Sequence, residues 1–547
     1  MKKTWKKILT TMLAISLLGT SFVGCSKEDK TDSNNAATEA PASGDAVAEV
    51  DPFAEPMEIS IASWDIESYL KDAENDKLYQ FLSDKFNVTV KPVNTTWDDY
   101  TQKIQTWAAA GTLPDIIATD AIGTQSYRNW TTQGVVRPLL DIDAAKYPNL
   151  AKYFETEDIK ALQDENGDYY CVPRRMYETL DWSALDRLVL YRWDLAQEAG
   201  VTKEPETWDE FKDMLAKIVE KDTRNQDVTG LTSTTTKLIG GFFWLYSNPL
   251  ATSDGSGSDY KWINEDGKII PAVFSKNSID SLENMRQMYD DGLIDPDIAL
   301  TNVNTAYDKF VSGKSAAVLI GGGYKNFDGP IYAQRWAKLN ADLEITDSVK
   351  VLKPMKGTNG DYNHAVFKTY WSESYFGANV DDAKMDRILA IYDYLISDEG
   401  QFVMNYGFEG EDYTKDGDKI TQTGANLWEK YPSKNLFGSL VAYNNDSVYK
   451  MDSVVIVNEK IRQEAVNYVD WLKENTTVPE FYPELTYVST PTKDTFTVLD
   501  HDDLLNIMMG NEPVENMWND ILASYEAKGL STMIEEVNAK AAEMGLK

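Results

Sequence analysis

An α/β chain built in at least two lobes is what these 547 residues predict. The length exceeds what a single hydrophobic core usually holds. Hydrophobic residues make up 42% of the chain, enough for packed cores. The first foldable stretch, 57–120, alternates apolar runs of period two with runs of helical period, in the order β-α-β-α-β. That order calls for a parallel sheet with right-handed crossovers.

The stretch from Trp97 to Asp120 anchors this reading. Trp97, Tyr100, Ile104 and Trp107 recur at intervals of three and four, one apolar face of a helix. Gly111 follows the last periodic residue, where a left-handed C′ position favours glycine, and Pro114 prevents the helix from resuming. The apolar run Ile116–Ala118 then reads as a buried strand ending at Thr119 and Asp120. Open α/β sheets hold ligands at the carboxyl ends of their strands, so Asp120 is expected to look into a crevice; a helix N-cap is its other reading. Upstream, Met57, Ile59 and Ile61 alternate with Glu58 and Ser60, a strand that stops at Ser63-Trp64-Asp65. A helix with Leu78, Phe81, Leu82 and Phe86 and a strand with Val88 and Val90 follow. Trp64, Asp65 and Asp120 would then project from one sheet edge.

Before this unit, residues 1–25 carry Lys2, Lys3, Lys6 and Lys7, an apolar run from Ile8 to Val23, and Gly24-Cys25. The segment looks like a bacterial lipoprotein signal, residues 1–24 being removed and Cys25 acylated, with Phe22 where that pattern prefers leucine. An uncleaved anchor is the alternative. Residues 26–56 hold one aromatic, Phe53, among Ser, Thr, Asn, acids, Ala and Pro, and read with Cys25 as a disordered tether.

Further along, Thr207-Trp208-Asp209-Glu210 fits a capping box opening a helix with Phe211, Leu215 and Ile218. A helix with Leu282 and Met285 ends at Gly292, and another closes at Ser312-Gly313. Ala316–Ile320 reads as a strand running into Gly321-Gly322-Gly323-Tyr324, where the absence of GxxxxGK[ST] argues against a phosphate cradle. Helices with Ile388 and Leu389, and with Met517 and Trp518, complete the pattern.

The net charge of −35 repels phosphate backbones and anionic lipid, which speaks against nucleic acid as a partner. Two cysteines exclude a disulfide framework, and Cys171, in an apolar run, reads as a buried inert thiol. With only His364 and His501 as histidines, a Cys/His zinc site is hard to build.

Together the landmarks Ala110-Gly111-Thr112-Leu113-Pro114-Asp115-Ile116, Tyr170-Cys171-Val172-Pro173, Leu190-Tyr191-Arg192-Trp193-Asp194-Leu195 and Tyr406-Gly407-Phe408-Glu409-Gly410 resemble family 1 of the bacterial extracellular solute-binding proteins, in its LplA-like oligosaccharide-binding branch. The resemblance implies a two-lobed clamshell of the type II periplasmic-binding-protein kind, hinged between lobes. One lobe would be 57–172 plus 376–430, the other 173–375 plus 431–547. It implies a monomeric, non-enzymatic receptor of an ABC importer. Such a receptor is lipid-anchored at the extracytoplasmic face of the membrane, as in a Gram-positive cell, and passes an oligosaccharide to permease subunits. It also implies no obligatory cofactor, with calcium possible in the loop holding Asp222, Asn225 and Asp227, a polar turn being the alternative.

A sugar site wants flat aromatic surfaces for CH faces and Asp, Asn or Arg for hydroxyls. The candidates are Trp64, Asp65, Asp120, Arg174, Arg175, Trp182 and Trp371, with Trp244 and Tyr324 placed by likeness to maltodextrin-binding relatives. For each, packing in the core or a helix cap is the competing role, and for the arginines a hinge ion pair. The paired arginines leave room for a uronic acid. A lipid-anchored glycoside hydrolase is the rival from another class, since two suitably spaced carboxylates suffice; no GxSxG or HExxH motif occurs. A carbohydrate sensor or adhesin would use the same pocket without transport.

Overall fold

The computed structural model describes residues 52–546 apart from 97–98, 165, 178–180, 252–260, 358–359, 363, 418, 424–425, 442–455, 457 and 497–500. The leader, Cys25 and Trp97 therefore lie outside the described residues. Residues Phe53–Lys547 form one compact unit, and within it two sheets organise two lobes.

The first sheet has five strands in the order Val88–Thr95, Met57–Trp64, Ile116–Thr119, Tyr370–Phe376 and Cys171–Arg175. The first three are mutually parallel and Tyr370–Phe376 runs antiparallel to both its neighbours. The two outer strands carry Pro92 and Pro173, residues that cannot donate to a ladder and belong at sheet edges. Helix Lys77–Phe86 starts on Asp76, whose carboxylate accepts from Tyr79 N at 3.0 Å. Helix Tyr100–Ala110 ends as its sequence requires. Gly111 is left-handed (φ 64), its N–H reaches Ala108 O, and Thr112 N reaches Trp107 O, the paired bonds of a Schellman cap.

The second sheet orders Val349–Val351, Arg187–Arg192, Ser315–Gly321 and Thr229–Thr232. Its central strand Arg187–Arg192 sends Val189 and Tyr191 into one core and Leu188 and Leu190 into another. Burial on both faces explains why such strands read as unbroken apolar runs. The first of these cores is closed by helix Trp208–Lys221, which has the expected capping box, and by helix Val514–Lys528 with Trp518 and Tyr525. Among the described residues no helix is long and apolar enough to cross a membrane.

The lobe boundaries expected at 173, 376 and 431 are corrected by this pairing. Residues 171–175 and 370–376 belong to the first sheet because the latter strand fills the gap between Ile116–Thr119 and Cys171–Arg175. Helix Ser433–Leu440 also joins the first lobe. Leu436, Phe437 and Leu440 enter its core, Ser433 N donates to Asp76 Oδ2 at 2.8 Å, and Ser439 shares a 2.7 Å hydroxyl bond with Ser63.

Candidate functional site

At the carboxyl end of the first sheet the chain gathers a polar and aromatic constellation. Trp64 ends its strand, only 3% exposed, and the half-buried indole of Trp371 stacks on it at 5.5 Å with 21° between planes. Trp371 reaches this place through an irregularity in its strand. The pairing with Cys171–Arg175 shifts register between Tyr370 and Glu373, and Ser372 takes a left-handed φ of 62°. Such a bulge re-aims a side chain that regular alternation would send elsewhere. Tyr100 sets its ring edge-on to Trp64 at 5.5 Å, and its hydroxyl donates to Asp120 Oδ1 at 3.0 Å. Burial first, then the Asp120 carboxylate, pushes the Tyr100 phenol up. Asp65 follows Trp64 in a left-handed turn (φ 53) and makes no capping bond with its side chain; its charge acts on Tyr69. The guanidinium of Arg174 lies 5.6 Å from the centre of the Trp371 ring.

Arg175 has a different task. It is 8% exposed, donates from Nε to Tyr177 O at 3.0 Å and sits over the Tyr153 ring. It braces the crossing between lobes, which corrects its assignment as a ligand contact. Met176 N and Tyr177 N both donate to Thr369 O, so the two described crossings run bonded side by side. Asp158 holds the second of them by accepting from Thr369 N at 2.8 Å and from its hydroxyl at 2.5 Å.

On the second lobe the strand Ser315–Gly321 runs into the glycine turn. Gly323 (φ 54) is obligatory there, since a Cβ would stand 1.9 Å from Leu185 O. Tyr324, expected as a stacking ring, is 1% exposed and packs against Phe327 and Tyr468 in the core. Its neighbour Lys325 is half-buried instead, and close enough to Arg174 for their charges to oppose each other. Burial, then Arg174, lowers the Lys325 ammonium to about 8; burial, then Lys325, lowers that of Lys434 to about 7. Arg174 is drawn down to about 10 by burial.

Trp244, expected to stack on ligand, is likewise corrected. It lies in a π-helical turn, Phe243–Ser247, 6% exposed within the second-lobe core. Gly240-Gly241 before it is helical, and Gly241 leaves room for Leu319, whose Cδ2 would lie 2.6 Å from an added Cβ. The side chain of Trp182 lies outside the described residues. The loop Asp222–Asp227 does not fit calcium. Asp222 already accepts from Gln226 N and Asp227 N, Arg224 is bound to Asp194 and Glu198, and no group of three metal-ligating side chains occurs among the described residues. Asp222, Asn225 and Asp227 make a polar turn with three left-handed residues. Cys171 is buried and its thiol is pushed up by that burial.

Glu373 supports the site from behind. Its Oε2 accepts from Ala121 N at 3.1 Å and from the Tyr375 hydroxyl at 2.9 Å, pinning the turn that follows Asp120. Burial raises its carboxyl from 4.5 to about 7. The folded state thus holds this proton more tightly than the unfolded chain. The stabilisation is full below the unfolded value and is lost as pH rises through about 7. Glu464, also raised to about 7, acts in the same direction. Glu373→Gln is expected to melt higher than wild type at pH 8 and equally at pH 5, recovering roughly 1–3 kcal/mol at the higher pH. Thermal melts at the two pH values check this.

Two α/β lobes joined by paired crossings, with side chains gathered where the strands end, define a two-domain periplasmic-type solute-binding protein. The family pattern described as bacterial extracellular solute-binding protein matches residues 70–402. This is more than half of the chain, and the chain belongs to that family. It is similar to the lipoprotein LipO of Bacillus subtilis (strain 168), 24% identical over 359 residues, covering 60% of this chain and 63% of the relative. The polygalacturonan/rhamnogalacturonan-binding protein YtcQ of the same organism is 24% identical over 319 residues, covering 57% of this chain and 58% of the relative. The chain thus spans about three fifths of the length of these curated relatives. The solved structure of the alginate-binding protein AlgQ2 without calcium ion matches with a TM-score of 0.66 at 14% identity, over 89% of this chain and 98% of that one.

Sequence reasoning did not single out Tyr69, Tyr100 or Asp158, which border the candidate residues or hold the crossing. Tyr100 carried a helical signal that hid its hydroxyl's role, and the others had no local signal.

Proposed function

We propose that this protein is the lipid-anchored, extracytoplasmic receptor of an ABC importer. In this reading it captures an oligosaccharide between its lobes and delivers it unaltered to membrane permease subunits. The observation that carries the reading is the stacked pair Trp371–Trp64 beside the Tyr100–Asp120 bond, at the strand ends of a solute-binding fold. A pyranose offers an apolar face to the exposed part of an indole and hydroxyls to an exposed carboxylate, and this arrangement supplies both. The carbohydrates in the names of YtcQ and AlgQ2 favour the same class of ligand. Closure follows if the ligand touches both lobes, since only differential affinity shifts a two-state equilibrium. Among the described residues the two acids pushed up to about 7, Glu373 and Glu464, lie in different lobes and do not face each other as a pair, which weighs against the hydrolase reading.

Titration calorimetry against an oligosaccharide panel, with chromatography of the recovered glycan, tests this. Saturable binding with intact glycan is the expected result; shortened glycan would transfer the protein to the hydrolases. Asp120→Ala is expected to weaken binding by about tenfold without a change in melting temperature, because a carboxylate accepting from ligand hydroxyls contributes on the order of 1–3 kcal/mol.

A further inference from the structure

A solitary exposed apolar side chain is ordinary on a protein surface, but Trp428 is neither solitary nor loose. Among the described residues it is the most exposed aromatic side chain, 43% open. Its short helix, Leu427–Lys430, is anchored by Leu427 in the first-lobe core, and Asn426 caps it by accepting from Trp428 N at 3.1 Å. The indole then lies along helix Ser433–Leu440. Its Cη2 and Cζ3 stand 3.7 and 3.8 Å from where a Cβ on Gly438 would be, so the bare flank of that helix receives the edge of the ring. The ammonium of Lys434, 3% exposed, lies over the ring 4.5 Å from its centre and donates to Met404 O. A ring seated on a cation and a glycine keeps one orientation, with much of its surface still open.

Gly438 ties this ring to the site at the strand ends. Its carbonyl accepts from Arg174 Nε, and the Arg174 guanidinium lies 5.6 Å from the centre of the Trp371 ring, which stacks on Trp64 at 5.5 Å. Each step is a contact, so Trp64, Trp371, Arg174 and Trp428 make one continuous row on the first lobe. From this we infer that Trp428 is an outer stacking platform of the ligand site, and that the ligand is a glycan long enough to cover Trp371 and Trp428 at once, passing Arg174 between them. The inference rests on the oligosaccharide-capture reading above and sets the length of the glycan. A guanidinium and a residue of helix separate the two indoles, so no single sugar ring stacks on both. CH faces recur along a sugar chain, so a second platform serves a second sugar in the same way as the first. Stacking on a ring that is already oriented also costs little side-chain entropy. Both indoles stand on elements of the first lobe, so long glycans gain affinity over short ones without any change in how the lobes meet.

The test is calorimetry of the purified whole chain with size ladders, from disaccharide to hexasaccharide, of maltodextrin, inulin-type fructan, xylan and polygalacturonan. In at least one ladder, affinity is expected to rise by at least about tenfold between the disaccharide and the longest member. Trp428→Ala is expected to remove that rise, so that long and short members bind alike, and Trp428→Tyr to keep it. A ring that served only to cover Lys434 would, on removal, shift the melting temperature and leave the dependence on length in place. A rise with length that persists in Trp428→Ala, or wild-type affinity that stays flat or falls with length, overturns this inference and leaves oligosaccharide capture standing. Binding of none of these glycans overturns both.

Discussion

Trp371→Ala is expected to lower oligosaccharide affinity by at least about tenfold while the protein stays folded, because losing a stacked ring removes roughly 1–3 kcal/mol. Trp371 is half-buried on an irregular strand, so its removal opens the site and not the core. It also uncovers Trp64, whose indole it overlies at 5.5 Å, and frees Arg174 from the ring that orients it. Trp244→Ala is the contrasting case. That ring is enclosed in the second-lobe core, so truncation is expected to lower stability by about 3–5 kcal/mol through loss of burial and the cavity left behind. Calorimetry and urea unfolding on both variants separate the two outcomes. An affinity loss confined to Trp244→Ala would exchange the roles assigned to these tryptophans.

Gly323→Ala is expected to destabilise the second lobe by at least about 3 kcal/mol, since a left-handed alanine already costs about 1 kcal/mol and overlap with a backbone carbonyl adds more. The added Cβ would lie 1.9 Å from Leu185 O, and backbone cannot rotate away as a long side chain would. Any relief must move the turn that carries Lys325. The urea midpoint measures this loss. Gly111→Ala provides the comparison: the same left-handed conformation with nothing within 4 Å of the new methyl, so a loss near 1 kcal/mol is expected.

These contrasts show what a sequence can carry. Helix ends are written locally, in Gly111 with Pro114 and in Thr207 with Glu210, and both caps formed as read. The first sheet's parallel half was legible because its strands and helices follow one another in the chain. Its other half was not, because Tyr370–Phe376 inserts from more than two hundred residues away, and no local periodicity records such a pairing. The same reason moved the lobe boundaries.

Site residues divide along similar lines. Trp64 and Asp120 could be placed at strand ends because each follows a short apolar run, whereas Trp371 was a candidate only from its place near the second crossing, and the bulge that turns it toward Trp64 left no local signal. Trp244 and Tyr324 were placed by likeness to maltodextrin-binding relatives, and that likeness does not record packing: both rings are buried here, where Gly241 and Gly323 admit close approach.

Small-angle scattering of the purified protein across a titration with its oligosaccharide tests the central claim, that two lobes close on a sugar held at Trp371. The radius of gyration is expected to fall in proportion to occupancy and to stay constant for Trp371→Ala at the same sugar concentration. Full occupancy with an unchanged radius would contradict closure, and an equal fall in the variant would place the sugar elsewhere.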